Sequence, residues 1–201
     1  MRGCQMHLAE SQYRSPIDRP LIREIRDQFQ IKWRGHHGAP HWARVRHHGL
    51  YLGQQLGADL QVVELFAFLH DSQRENEYTD HGHGKRASVY AAKLRDRGFF
   101  VMKDAAFELL VTACNGHSDG GMDGDVTVRV CWDADRLDLG RVGIKPDPHR
   151  LCTPPARDLA YIDKAWKWGL EQYHGLRAGK LDRHQDRDDG EIVQQGGRYG
   201  W

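Results

Sequence analysis

The stretch Leu60-Gln-Val62-Val63-Glu-Leu65-Phe66-Ala67-Phe68-Leu69-His70-Asp71 is apolar on almost every side and then ends in an imidazole and a carboxylate. Its length suits a helix, and a helix that apolar belongs in the middle of a bundle rather than on its surface. A carboxylate beside a dry core is costly unless something positive compensates it. A metal ion would supply that charge.

Working outward, the flanking segments also read as helices. Pro20 opens an amphipathic stretch with Leu21, Ile25, Phe29 and Trp33 on one face, broken by Gly35-His-His-Gly38. Pro40 suits the first turn of a second helix, which places His41 in that turn. Trp42, Val45, Leu52 and Leu56 follow at helical intervals, and Gly57 is a natural stop. After the polar loop Ser72 to Gly84, a helix is expected from about Lys85, carrying Ala87, Ala91 and Leu94 inward. Another holds Phe107, Leu110, Cys114 and His117 near one stripe, and Gly116 to Gly124 forces a loop. In the next window Val126, Val128, Val130 and Trp132 alternate like a strand, while Val128, Cys131, Trp132 and Asp135 fit a helical face. Periodicity leaves both readings open. Pro154-Pro155 precedes a last amphipathic helix with Leu159, Ile162, Trp166 and Leu170. The expected organisation is an irregular segment over 1–19, a helical domain over 20–174 and a polar tail over 175–201.

The chain has 201 residues and a formal charge of +1. That balance argues against an obligate nucleic-acid partner or a membrane-surface binder. No apolar run approaches the roughly 20 residues that span a bilayer, and the four scattered cysteines form no CxxC pair. The expectation is a cytoplasmic protein with free thiols. Cys114, three residues before His117, is read as a small buried residue. His47, His149, His174 and His184 are read as solvated surface. Exposed apolar area on the first or last helix would suit a homodimer.

His41, His70-Asp71 and Asp135 remain, in the order H…HD…D, within His41-Trp-Ala-Arg-Val, Phe68-Leu-His70-Asp71-Ser and Asp133-Ala-Asp135-Arg-Leu. Mixed nitrogen and oxygen donors suit Mn, Fe, Co, Ni or Zn. These strings resemble the HD-domain metal-dependent phosphohydrolase superfamily, in particular its small stand-alone bacterial members. The resemblance implies an all-α HD-domain helical bundle, with Asp135 on a helix. It implies His41, His70, Asp71 and Asp135 as metal ligands, with Asp71 also catalytic. It also implies a metal-bound hydroxide attacking a small phosphorylated substrate of nucleotide type.

The subgroup that binds two metals has extra histidines before the last aspartate, and here His83 and His117 fill that interval. His81 competes with His83. Arg74, Lys85 and Arg86 are candidate phosphate-binding residues, since guanidinium and ammonium groups match phosphate oxygens. Arg136 is a candidate partner for Asp133 or Asp138. Alarmone hydrolases of the fold read HDxxED, whereas this chain has Arg74 in place of the first acid and keeps Glu75 as a candidate proton-transfer group. No GxxxxGK[ST] phosphate loop is present. Two alternatives stand beside the phosphohydrolase. One is a di-iron oxygenase of the same fold, and the other is a non-catalytic metal-binding sensor.

Overall fold

Asp18 caps the first helix, its side chain accepting the Leu21 N–H at 2.9 Å. In the computed structural model, which describes residues 13–177, this helix (α1, Arg19–Gln28) buries Leu21, Ile22 and Ile25. It ends before the apolar spacing does. Phe29 is the C-cap and Trp33 lies beyond it, but both rings meet Trp42 edge-on, with centroids 5.1 and 5.3 Å away. The two aromatics find their apolar surroundings through ring contacts and need no further helical turn.

The second helix (α2, Ala39–Leu56) has Pro40 in its first turn and stops at Gly57 in the left-handed region, φ 69°. The third (α3, Leu60–Leu69) is capped by Asp59, whose side chain accepts from Gln61 and Val62 N–H. Every residue from Val62 to Leu69 is buried, including Glu64. That carboxylate is answered by Arg46 and by the Tyr13 hydroxyl, which is what makes its burial tolerable.

The fourth helix (α4, His83–Asp96) starts two residues before the expected Lys85, and the fifth (α5, Asp104–Gly116) packs along it. The ambiguous window is a helix (α6, Val126–Leu137), capped by Asp125, whose side chain accepts the Thr127 N–H at 2.7 Å. Its strand-like alternation has a plain cause. Packed against α2, α3 and α5 together, α6 buries apolar residues on most of its circumference.

The last helix (α7, Leu159–Arg177) corrects one expectation. Leu159 is exposed, and the inward stripe is Ile162, Ala165, Gly169 and Gln172. Small residues are needed there because a 3-10 turn, Asp138–Val142, presses on α7. A Cβ on Gly140 would stand 2.4 Å from the Trp166 carbonyl oxygen. The described residues contain seven α-helices and no strand: an all-α bundle. No helix among them is long and apolar enough to cross a membrane. Beyond Arg177 and before Tyr13, the expected tail and opening segment lie outside the described residues.

Candidate metal centre

Five helices each bring a ligand-type side chain to one buried place. His41 comes from the first turn of α2, His70 and Asp71 from the end of α3, His83 from the start of α4, His117 from the end of α5, and Asp135 from the last turn of α6. All but Asp135 are buried, and the Asp135 side chain is 14% exposed.

The outer ring nitrogens decide the chemistry of the inner ones. His41 Nδ1 lies 2.7 Å from Asp138 Oδ2, His70 Nδ1 3.1 Å from the Phe66 carbonyl, and His117 Nδ1 2.8 Å from the Cys114 carbonyl. His83 Nδ1 bonds the Asp80 carbonyl. Those oxygens only accept, so each Nδ1 carries the proton and each Nε2 presents a bare lone pair. The bare nitrogens face one another: His41 and His70 at 3.0 Å, His83 and His117 at 2.8 Å. Lone pairs at such separations repel unless a cation lies among them. Imidazoles oriented from behind in this way are how proteins prepare metal ligands.

Asp71 stands between the two pairs. Its Oδ2 is 3.6 Å from both His41 and His70 Nε2, and its Oδ1 is 3.3 Å from His83 Nε2 and 3.6 Å from His117 Nε2. Asp135 Oδ1 joins the first pair, 3.3 Å from His41 Nε2 and 3.8 Å from His70 Nε2. Two ligand groups result, His41/His70/Asp71 and Asp71/His83/His117. The donor set fits a divalent transition metal in kind and in orientation.

The protonation states of His70, Asp71 and Asp135 agree. Burial pushes His70 down to about 3 despite Asp71 and Asp135 nearby. Burial alone would raise Asp71, but His70 and the neighbouring His117, His37 and His83 imidazoles hold it well below the carboxylate range. Asp135 is also depressed, because His41 and Arg141 outweigh its burial. His117 runs the other way: burial lowers it, but Asp71 and Asp135 raise it more. Ionised carboxylates beside a neutral His70 are the ligand states a metal needs.

Of the other sequence candidates, Arg74 is brought in. It is buried, with Nη1 3.4 Å from Asp71 Oδ1 and 3.4 Å from His83 Nε2. His81 is exposed while His83 meets His117. Glu75 is not brought in; its exposed carboxylate lies 3.5 Å from Arg86 Nε. Arg86 bonds the Gln73 carbonyl at 3.0 Å and Asp80 Oδ2 at 2.6 Å. Lys85 is exposed and, with Arg86, borders a separate surface cavity on α4.

Arg136 does not pair with Asp133 or Asp138. Its guanidinium donates to the carbonyls of Gly121 at 2.7 Å and Arg150 at 3.0 Å. Asp138 pairs with Arg44 instead, and Asp133 accepts the N–H groups of Cys152 and Thr153. His47 is half-buried against Trp168, ring centroids 5.0 Å apart, whereas His149 and His174 are exposed and His184 lies outside the described residues.

Sequence reasoning missed four residues. His37 Nδ1 is 2.7 Å from Asp71 Oδ2, and Arg141 Nη2 is 3.4 Å from Asp135 Oδ1. Asp138 and Arg44 form the buried support behind His41. Asp138 stands three residues after Asp135, a helical spacing and the one signal available; His37, in the turn before α2, carried none.

No family model and no curated protein matches the chain. Among solved structures it is similar to a protein from an uncultured Thermotogales bacterium, described as a predicted HD superfamily hydrolase. The TM-score is 0.60 and the identity 23%, covering 87% of this chain and 99% of that one. The chain has the HD-domain fold.

Proposed function

We propose that this protein is a metal-dependent hydrolase of a small phosphorylated molecule, with two divalent ions held one on each side of Asp71. The observation that carries the reading is the set of four Nε2 lone pairs facing inward around that carboxylate. When bound, such ions supply Lewis acidity and a water of lowered pKa.

Charge balance favours an anionic substrate. Asp71 and Asp135 are matched by two buried arginines, Arg74 and Arg141, and Asp138 by Arg44. Any dication is therefore excess positive charge in a buried place, and a phosphate ester neutralises it. Arg74 and Arg141 flank the centre beside opposite carboxylates, where guanidinium donors can bind phosphoryl oxygens and steady the charge that grows on them. His37 donates to Asp71 and holds the carboxylate between the histidine pairs. The similar Thermotogales protein is itself described as a predicted hydrolase. A di-iron oxygenase would share the histidines but has less use for the two arginines.

The test is metal analysis of protein purified without added metal, beside a phosphatase and phosphodiesterase panel that includes nucleotides. Expected are bound transition metal and hydrolysis, with Asp71→Ala losing both the metal and about 100-fold or more in rate. No transition metal, and no hydrolysis with Mn, Co, Ni or Fe, overturns the proposal. Tightly held iron without phosphate-ester turnover selects the oxygenase.

A further inference from the structure

His117 and Asp135 also form the inner end of a cavity of about 740 Å³, a volume suited to a whole organic ligand. Its exposed lining is mostly apolar, through Met122, Leu139, Ile144, Pro146 and Leu151, with Lys145 and Arg150 also at its walls. Ile144 is 54% exposed and forms part of this apolar lining beside Met122 and Leu139.

The walls are built in place. Arg136 spans them, one amino group bonded to the Gly121 carbonyl and the other to the Arg150 carbonyl. Asp133 anchors the segment that follows Leu151, through the Cys152 N–H at 2.6 Å and the Thr153 N–H at 2.8 Å. Both anchors belong to α6, the helix that carries Asp135, so cavity and ligand cluster share one frame.

Resting on the hydrolase reading, we infer that this cavity seats the flat, apolar body of a phosphate ester, with the phosphoryl end at His117 and Asp135. A one-carbon ester would leave Met122, Leu139 and Ile144 against water. An aromatic body covers them. Ile144, on the segment after the 3-10 turn, is then a specificity-determining residue.

The experiment has a binding arm and a turnover arm, both on the Mn-loaded chain. Calorimetry compares methylphosphonate with 1-naphthylmethylphosphonate, and rates are measured on methyl phosphate and 1-naphthyl phosphate. The naphthyl phosphonate is expected to bind at least about tenfold tighter. Ile144→Asp is expected to collapse that ratio, while Val101→Asp, at an exposed site outside the cavity lining, keeps it. Equal affinities, or a ratio unmoved by Ile144→Asp, overturn the inference. A naphthyl preference lost in Ile144→Asp without hydrolysis of either ester supports the cavity assignment and overturns the hydrolase reading alone. Hydrolysis of both esters with no naphthyl preference does the reverse.

Discussion

Asp138 accepts Arg44 Nε at 2.5 Å and Nη2 at 2.9 Å on one side and the His41 Nδ1–H at 2.7 Å on the other. Burial would raise its carboxyl, but Arg44 and His41 hold it below the usual range. The group does two jobs at once. It neutralises a buried guanidinium, and it fixes the tautomer that turns the His41 Nε2 lone pair inward. Asp138→Asn keeps the shape and removes the charge. The expected cost is about 3 kcal/mol or more in urea unfolding, since Arg44 is left uncompensated. Metal affinity should fall about 10- to 100-fold in a titration, because His41 is no longer oriented. A variant with unchanged unfolding and unchanged metal affinity would show that Asp138 merely fills space.

Helix placement turns on close approach. A Cβ on Gly84 would lie 2.4 Å from the Cys114 carbonyl oxygen, so the start of α4 rests directly on the end of α5. That contact brings His83 Nε2 to 2.8 Å from His117 Nε2, although the two are 34 residues apart. Gly84→Ala improves intrinsic helix propensity, so any loss must come from the helices being forced apart. The expected result is at least about a tenfold weaker second metal-binding step, read by titration with Mn or Co, while the His41/His70 group still binds. Undiminished binding at both steps would refute the close-approach account. Most helices were legible from caps and apolar spacing, as in α2 and α3. The α6 window was not, because its pattern reports neighbours on several faces rather than its own period. The inward stripe of α7 was misjudged for a related reason. Its burial follows from Gly140 meeting Trp166 and Gly169, a contact between segments distant in sequence.

For the molecule as a whole, buried neutral histidines set the response to acid. Burial holds His48 at about 3, against an ordinary 6.5, with its Nδ1 2.9 Å from the Tyr161 hydroxyl. Above pH 6.5 neither the folded nor the unfolded chain protonates it. As pH falls below that, only the unfolded chain takes up the proton, so folding loses stability progressively toward pH 3, by up to about 1.4 kcal/mol per pH unit. His37, held at about 4, and His70, at about 3, act with the same sign. The melting temperature is therefore expected to drop between pH 7 and pH 5, and His48→Gln should flatten part of that drop. Equal slopes for the variant and the parent chain would remove His48 from the account.

The sequence alone determined that the chain is helical, that α3 is central, and that His41, His70, Asp71 and Asp135 carry the resemblance to HD proteins. Those features are local: periodicity, caps and short strings survive without knowing the neighbours. The tertiary structure decided which of the remaining histidines and cations meet at the centre. It set His83 against His117 rather than exposing it like His81, and brought in His37, Arg141 and Asp138 while leaving Glu75 and Lys85 on the surface. That choice depends on how closely helices approach and which charges share a dry interior. Both are properties of packing between distant segments, and no spacing along the chain encodes them.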